Sequence, residues 1–258
     1  MDRLAQILEH KRRDVAGRRA GRPSERLVRP DSAPLRDFAA ALRSGAVAVI
    51  AEIKRRSPSQ GVLRPELDPA EMAREYERHG AAALSVLTEA RFFGGSDADL
   101  RAARAAVELP VLRKDFVVDE YQIREAWALG ADAVLLIARA LSDQELGRFL
   151  ELAGELGLAA LVEVHTEVEL KRALACGASI IGVNSRDLST FAVGLDAALR
   201  LRDRIPAGRT AVAESGIASR EDVLRLVAAG YEALLVGEAL LRAPHPGRKL
   251  AELLGAEA

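Results

Sequence analysis

Residues 130–137 read GADAVLLI, and three other segments repeat the design: GAAALSVL at 80–87, GASIIGVN at 177–184 and GYEALLVG at 230–237. In each, a glycine precedes a short apolar run of strand composition. The glycines lie 50, 47 and 53 residues apart. That is the length of two βα units, so four repeats make eight. Apolar runs at 47–54, 110–114, 158–164 and 210–214 supply the strands between those at 82–88, 132–138, 178–183 and 231–236. Helices alternate with them: Asp68-Pro69-Ala70-Glu71, Ser142-Asp143-Gln144-Glu145 and Thr166-Glu167-Val168-Glu169 each set an N-cap residue three positions before a glutamate. The pattern predicts an α/β fold, a (β/α)8 TIM barrel, for which about 250 residues is the usual length. An open doubly wound sheet would carry fewer strands and a G-x-G-x-x-G after the first, a fingerprint this chain lacks.

At 258 residues, 49% hydrophobic and 29% charged, the chain can bury one full core, and a single domain over 1–258 is expected. A net charge of −1 argues against a nucleic-acid or membrane partner. No apolar run approaches the roughly 20 residues of a membrane span. The polar start MDRLAQILEHKRRD has no signal-peptide core, and a cytoplasmic monomer or weak homodimer is the expectation. The lone cysteine, Cys176, reads as a buried structural thiol. Residues 1–45 stand apart as an N-terminal helical extension. Leu4, Ile7 and Leu8 share one helical face, the basic run Lys11, Arg12, Arg13, Arg18, Arg19 and Arg22 reads as its solvated side, and Pro23 and Pro30 break it before a short helix over 35–42. This segment is expected to cover the barrel mouth, and a chain without it to remain a folded barrel with a raised KM.

In such a barrel the interior is packed with branched apolar side chains, and chemistry gathers at the carboxyl ends of the strands. The first strand, within VAVIAEIKRRSPSQG at 47–61, ends with Glu52 and Lys54 on the face of Ile50, because strand side chains alternate. By the same alternation Lys114 shares a face with Leu112 and Phe116, and Glu163 with Leu161; Asn184 and Glu214 end two later strands. A single charge at a strand end is an ordinary salt-bridge partner, whereas six polar groups meeting at one mouth point to a functional site. Two lysines facing one mouth are expected to lower each other's pKa toward that of a usable acid.

Ser215-Gly216 and Gly237 follow the seventh and eighth strands, where barrels commonly hold a phosphate, and Ser57 and Ser59 on the first loop add hydroxyls. Replacing Gly237 is expected to weaken anion binding and leave the lysines in place. Phe92-Phe93-Gly94-Gly95 brings aromatic side chains to the same end, able to stack on a flat ring. No two of His10, His79, His165 and His245 have metal-ligand spacing, and His165 reads as a loop residue past Glu163. Neither a metal nor a cofactor is implied, and a phosphorylated small molecule is the expected partner. Three chemistries stay open on the residues alone. They are a two-carboxylate glycosidase using Glu163 and Glu214, a Schiff-base aldolase using Lys54 or Lys114, and a non-catalytic barrel that binds a phosphorylated ligand.

The segments AEIKRRSPSQG, LTEARFFGGS, PVLRKDFVVDEYQI, LVEVHTEVEL, IIGVNSRDLSTF, AESGI and LLVGEALLR, in that order over residues 47–242, resemble the strand-end motifs of the indole-3-glycerol phosphate synthase family of tryptophan biosynthesis. The N-terminal helices resemble that family's extension. The resemblance implies a carboxy-lyase that converts 1-(2-carboxyphenylamino)-1-deoxyribulose 5-phosphate to indole-3-glycerol phosphate with loss of carbon dioxide and water. It implies Lys114 as the general acid that protonates the substrate carbonyl during ring attack, and Glu163 as the general base of the dehydration. Lys54 and Asn184 would sit by the substrate's carboxylate and hydroxyls, Lys54 as a candidate second acid, while Glu52 and Glu214 position the lysines and the sugar hydroxyls. Ser57, Ser215, Gly216 and Gly237 would hold the phosphate, and Phe93, Phe116, Leu135, Arg186 and Leu188 would line the ring and carboxylate pocket. The chain departs from the family pattern at Arg56, Gln60, Glu120, Ser185 and Ala213, none of them an implied catalytic group.

Overall fold

The computed structural model describes residues 3–45, 47–58, 60–186 and 194–256, so Ser59 and Leu188 lie outside the described residues. Eight parallel strands form a closed barrel: β1 (Ala48–Ile53), β2 (Ala83–Leu87), β3 (Val111–Lys114), β4 (Ala133–Ile137), β5 (Ala159–Val164), β6 (Ile180–Asn184), β7 (Thr210–Glu214) and β8 (Ala233–Val236). Neighbours in sequence are neighbours in the ring, and β1 closes it by pairing Ile50 with Ala83 of β2 and Ala48 with Ala233 of β8. The repeated glycines have a common cause. Gly80, Gly130, Gly177 and Gly230 take φ values of 89°, 92°, 91° and 96°, the left-handed conformation in which a helix most cheaply ends before the chain turns into a strand.

Alternation along each strand divides the core in two. Val49, Ala51, Val134, Val162 and Leu234 point outward and pack with the helices. Ile50, Leu112, Leu161 and Val212, one from each odd-numbered strand, fill the barrel interior, as the layered packing of such barrels requires. The amino-terminal end of the barrel is plugged from outside: Phe38 and Leu42 join the interior cluster, on a helix (Phe38–Ala41) whose N-cap Asp37 accepts from Ala40 N at 2.8 Å.

The N-terminal segment therefore touches the barrel along its whole height. Helix α1 (Arg3–Gly21) buries Leu4, Ile7, Leu8, Lys11 and Val15. Arg13 and Arg19 of the basic run face solvent as expected, but Lys11 is buried and Arg18 bonds Glu125 on the helix Glu120–Leu129, so the reading of a wholly solvated basic face is corrected there. Cys176 is half-buried rather than buried. Among the described residues no helix is long and apolar enough to cross a membrane.

Below the plug, Asp132 gathers the linker. Its buried carboxylate accepts from Arg36 N and Val111 N, both at 2.9 Å, lies 3.3 Å from Arg29 Nη2 and bonds Arg104. Removing one member of a buried charge cluster strands the rest. Asp132→Ala is therefore expected to lower the unfolding free energy by about 3–5 kcal/mol, and urea unfolding followed by circular dichroism measures it.

Candidate active site

On each odd-numbered strand the residue two positions beyond the apolar layer is charged: Glu52 on β1, Lys114 on β3, Glu163 on β5 and Glu214 on β7. Alternation keeps these side chains on the inward face, so the uppermost layer of the barrel is ionic where apolar packing would be the rule. Lys114 Nζ lies 3.3 Å from Glu163 Oε2 and 3.4 Å from Glu214 Oε2. Lys54, just past β1, pairs with Glu52, and Asn184 at the end of β6 hydrogen-bonds the Glu163 carboxylate. Two glycines make room for this layer, since a Cβ at Gly182 would collide with the Glu214 carboxylate and one at Gly237 with that of Glu52. The expectation that a side chain at 237 would spare the lysines is thereby corrected, because it would push Glu52 away from Lys54.

Charge bookkeeping explains the protonation states. Burial acts to discharge Lys114, but the carboxylates of Glu214, Glu163 and Glu52 outweigh it and raise its pKa. The expected lowering by a second lysine is overturned: three carboxylates surround this ammonium. Burial also acts to raise Glu163 and Glu52, yet Lys114 and His165 hold the first below the ordinary carboxylate range, and Lys54 and Lys114 the second. Glu214 is the group left over. Burial, opposed by Lys114 but reinforced by Glu163 and Glu52, pushes its carboxyl up to about 7.

A cavity of about 490 Å³ opens above this layer, and every described residue that the resemblance implied as catalytic or substrate-binding borders it, whereas Phe92 does not and packs on His10 instead. Ring order gives it two sides. The loops after β7, β8 and β1 are consecutive, and they carry Ser215, Gly216, Gly237 and Ser57. Ser215 takes φ 65°, the one positive value outside glycine among the described residues; such strain, about 1–3 kcal/mol, persists where a turn is shaped for a ligand. Glu238, which would repel an anion there, is engaged by Arg186 Nη2 at 3.0 Å and Arg242 Nε at 3.3 Å. Across the mouth, β2, β3 and β4 contribute Phe93, Phe116 and Leu135, the two rings 5.9 Å apart and tilted by 41°. The first loop is braced against this side by Arg56 Nη2, which donates to the carbonyls of Ala90 at 3.0 Å and Arg91 at 2.7 Å.

The sequence reading gave Arg3 and Arg242 no place at the mouth, yet both border the cavity, as do Leu4 and Ile7 of the α1 stripe. His165 is also no mere loop residue: Nε2 stands 3.6 Å from Glu163 Oε1 and Nδ1 3.5 Å from Glu169 Oε2. Burial lowers its pKa, but Glu169 and Glu163 outweigh burial and raise it. The signal for α1 was its apolar stripe; for His165 there was only its position two residues beyond Glu163, on the same alternating face.

A sequence profile of indole-3-glycerol phosphate synthase matches residues 4–253. The indole-3-glycerol phosphate synthase of Albidiferax ferrireducens is 51% identical over 259 residues, covering 98% of both chains. Those of Dechloromonas aromatica and Syntrophobacter fumaroxidans are each 49% identical, covering 98% of both chains and 100% and 99% respectively. Among solved structures, a 3-hexulose-6-phosphate synthase superposes with a TM-score of 0.66 at 17% identity, over 82% of this chain and all of that one. A thiamine phosphate pyrophosphorylase from Pyrococcus furiosus gives 0.62 at 19% identity, over 81% and 95%. At such identities these two establish the barrel fold alone.

The elevated Glu214 pKa has a thermodynamic signature. The folded protein keeps this proton up to about 7 whereas the unfolded chain releases it around 4.5, so the associated stability is complete below the lower value and lost as pH rises through the upper one. Glu214→Gln removes that loss. Its melting temperature relative to the parent is expected to be higher above pH ~8 than below pH ~5, and an equal offset in thermal scans at both would assign the proton elsewhere.

Proposed function

The chain belongs to the indole-3-glycerol phosphate synthase family, a carboxy-lyase family, and we propose that its ionic layer divides the ring-closing reaction between Lys114 and Glu163. The substrate, 1-(2-carboxyphenylamino)-1-deoxyribulose 5-phosphate, lies across the mouth with its phosphate toward Ser57, Ser215, Gly216 and Gly237 and its ring toward Phe93, Phe116 and Leu135. Arg186 and Lys54 meet the carboxylate. In the first step the ring carbon attacks the ketone, and Lys114 gives its proton to the carbonyl oxygen. Loss of carbon dioxide restores the aromatic ring. Glu163 then takes a proton as the hydroxyl leaves as water, with Lys54 as the acid for that departure and Asn184 and Glu52 holding the groups in line. The parts taken together consume one proton for each carboxylate lost.

The observation that carries this reading is the Lys114 ammonium held 3.3 Å from Glu163 and 3.4 Å from Glu214 beneath a cavity with aromatic side chains on one side and the turns of Ser215, Gly216 and Gly237 on the other. Its raised pKa is compatible with the role. A general acid need only be more acidic than the group it protonates, and an alkoxide forming in a desolvated site is far more basic than an amine. Lys114 is thus always loaded, and proton transfer waits for the oxygen to become a base. A glycosidase would leave the cationic centre unused, and an imine-forming lysine must first be neutral, which the three carboxylates oppose at Lys114. We place this chemistry in the cytoplasm, with no cofactor.

Fluorescence detection of indole-3-glycerol phosphate on the purified chain tests the reaction, and borohydride with the substrate should trap no lysine adduct. Lys114→Ala is expected to lower kcat by about 100-fold or more while KM changes little. Retention of more than about a tenth of the parent turnover would remove Lys114 from the acid role.

A further inference from the structure

Helix α1 carries one charge on its buried stripe. Leu4, Ile7, Leu8 and Val15 are the apolar members, and Lys11, only 4% exposed, sits among them. A buried ammonium is costly without a partner, and Lys11 Nζ finds one in Asp115 Oδ1 at 2.8 Å, a carboxylate itself 2% exposed. Asp115 directly follows Lys114 and precedes Phe116. The same Oδ1 accepts the Phe116 N–H at 2.8 Å, while Oδ2 accepts the Thr88 hydroxyl at 2.8 Å and faces Arg113 Nη2 at 3.6 Å. Arg113 runs on to Glu125 at 2.8 Å, and Glu125 takes Arg18, two helical turns beyond Lys11 on α1. Helix and strand end are thus joined at two points of one buried network.

The geometry has a consequence for the mouth. The peptides on either side of Asp115 carry the side chains of Lys114 and Phe116, so a carboxylate tied in place from α1 fixes both. On the same helix Leu4 and Ile7, seven and four residues before Lys11, border the cavity. The ion pair therefore also sets the axial position of α1 above the substrate. An arginine-rich solvated face would need no such partner, and the exposed Arg13, paired with Glu9 one turn away, illustrates the contrast.

We propose that Lys11 is a positioning residue for the reaction: through Asp115 it seats Lys114 and Phe116, so that α1 lying over the mouth and the acid standing in line are one event. The kinetic part of this inference rests on the role proposed for Lys114.

The test uses the full-length chain with Lys11→Met, Lys11→Arg, Asp115→Asn, the Lys11→Met/Asp115→Asn double variant and the exposed Arg13→Ala. Lys11→Met is expected to fold, to lower kcat by about 10- to 100-fold because small misplacements of reacting groups have effects of that size, and to raise KM less than it lowers kcat. Lys11→Arg should recover most of the loss, and Arg13→Ala should match the parent. The double variant should lose no more than the worse single one, the mark of two residues acting through one contact. Asp115→Asn, which keeps the shape of the site, carries the test should Lys11→Met prove unstable, and it should show the same kcat-weighted loss. The readout independent of turnover is the backbone amide resonance of Phe116, expected to shift in Lys11→Met and in Asp115→Asn and to stay in Arg13→Ala. An unmoved Phe116 amide, a kcat within about twofold of the parent, or losses that add in the double variant would each overturn the proposal. Turnover retained by Lys114→Ala would instead overturn the role of Lys114, leaving the Phe116 measurement to judge the seat by itself.

Discussion

One ammonium shared by three carboxylates inside a closed barrel is the constraint from which the rest of the mouth follows. Glu52, Lys114, Glu163 and Glu214 come from β1, β3, β5 and β7, so no two belong to adjacent strands and none is fully paired until the ring has closed. Burying such a set is unfavourable group by group, and what makes it tolerable is mutual neutralisation at short range. Lys54 supplies a second cation, yet the count still leaves one carboxylate over. The excess falls on Glu214, whose carboxyl is pushed up to about 7, while His165 stands as a further base beside Glu163.

That solution shapes what the cavity can receive. A floor of carboxylates disfavours an anion, whereas the cations that border the cavity include Arg3, Arg186 and Arg242. Glu238 is tied to two of these, Arg186 and Arg242. In the function proposed above, the floor serves proton transfer and these arginines serve recognition. Gly182 and Gly237 mark the boundary, since a methyl group at either would press on a glutamate of the floor.

The fold was legible because its signal is periodic. Gly80, Gly130, Gly177 and Gly230 recur for a backbone reason, a left-handed helix end, and strand alternation then put Glu52, Lys114, Glu163 and Glu214 on one face without any long-range information. What alternation could not supply was distance. Lys54 was expected to depress Lys114, but spacing along a chain does not say that three carboxylates from three other positions lie closer in effect than one ammonium. Lys11 was illegible for a related reason. In a run of basic residues every lysine looks solvated, and only the tertiary partner, Asp115, distinguishes the buried one. His165 was hidden likewise, its meaning set by Glu169 across a turn.

The N-terminal segment then reads as part of the barrel's construction as much as a cover for it. Phe38 and Leu42 complete the interior at one end, Arg29 and Arg36 hold Asp132, Arg18 and Lys11 hold Glu125 and Asp115 along the flank, and Leu4 and Ile7 reach the mouth. An element anchored by buried ion pairs at three heights cannot leave without stranding their partners. Stranding them costs stability, a cost that the expectation of a folded barrel without the segment did not count. The same anchoring gives the arrangement its proposed use: a helix fixed to the residue beside Lys114 cannot shift over the mouth without also moving Lys114.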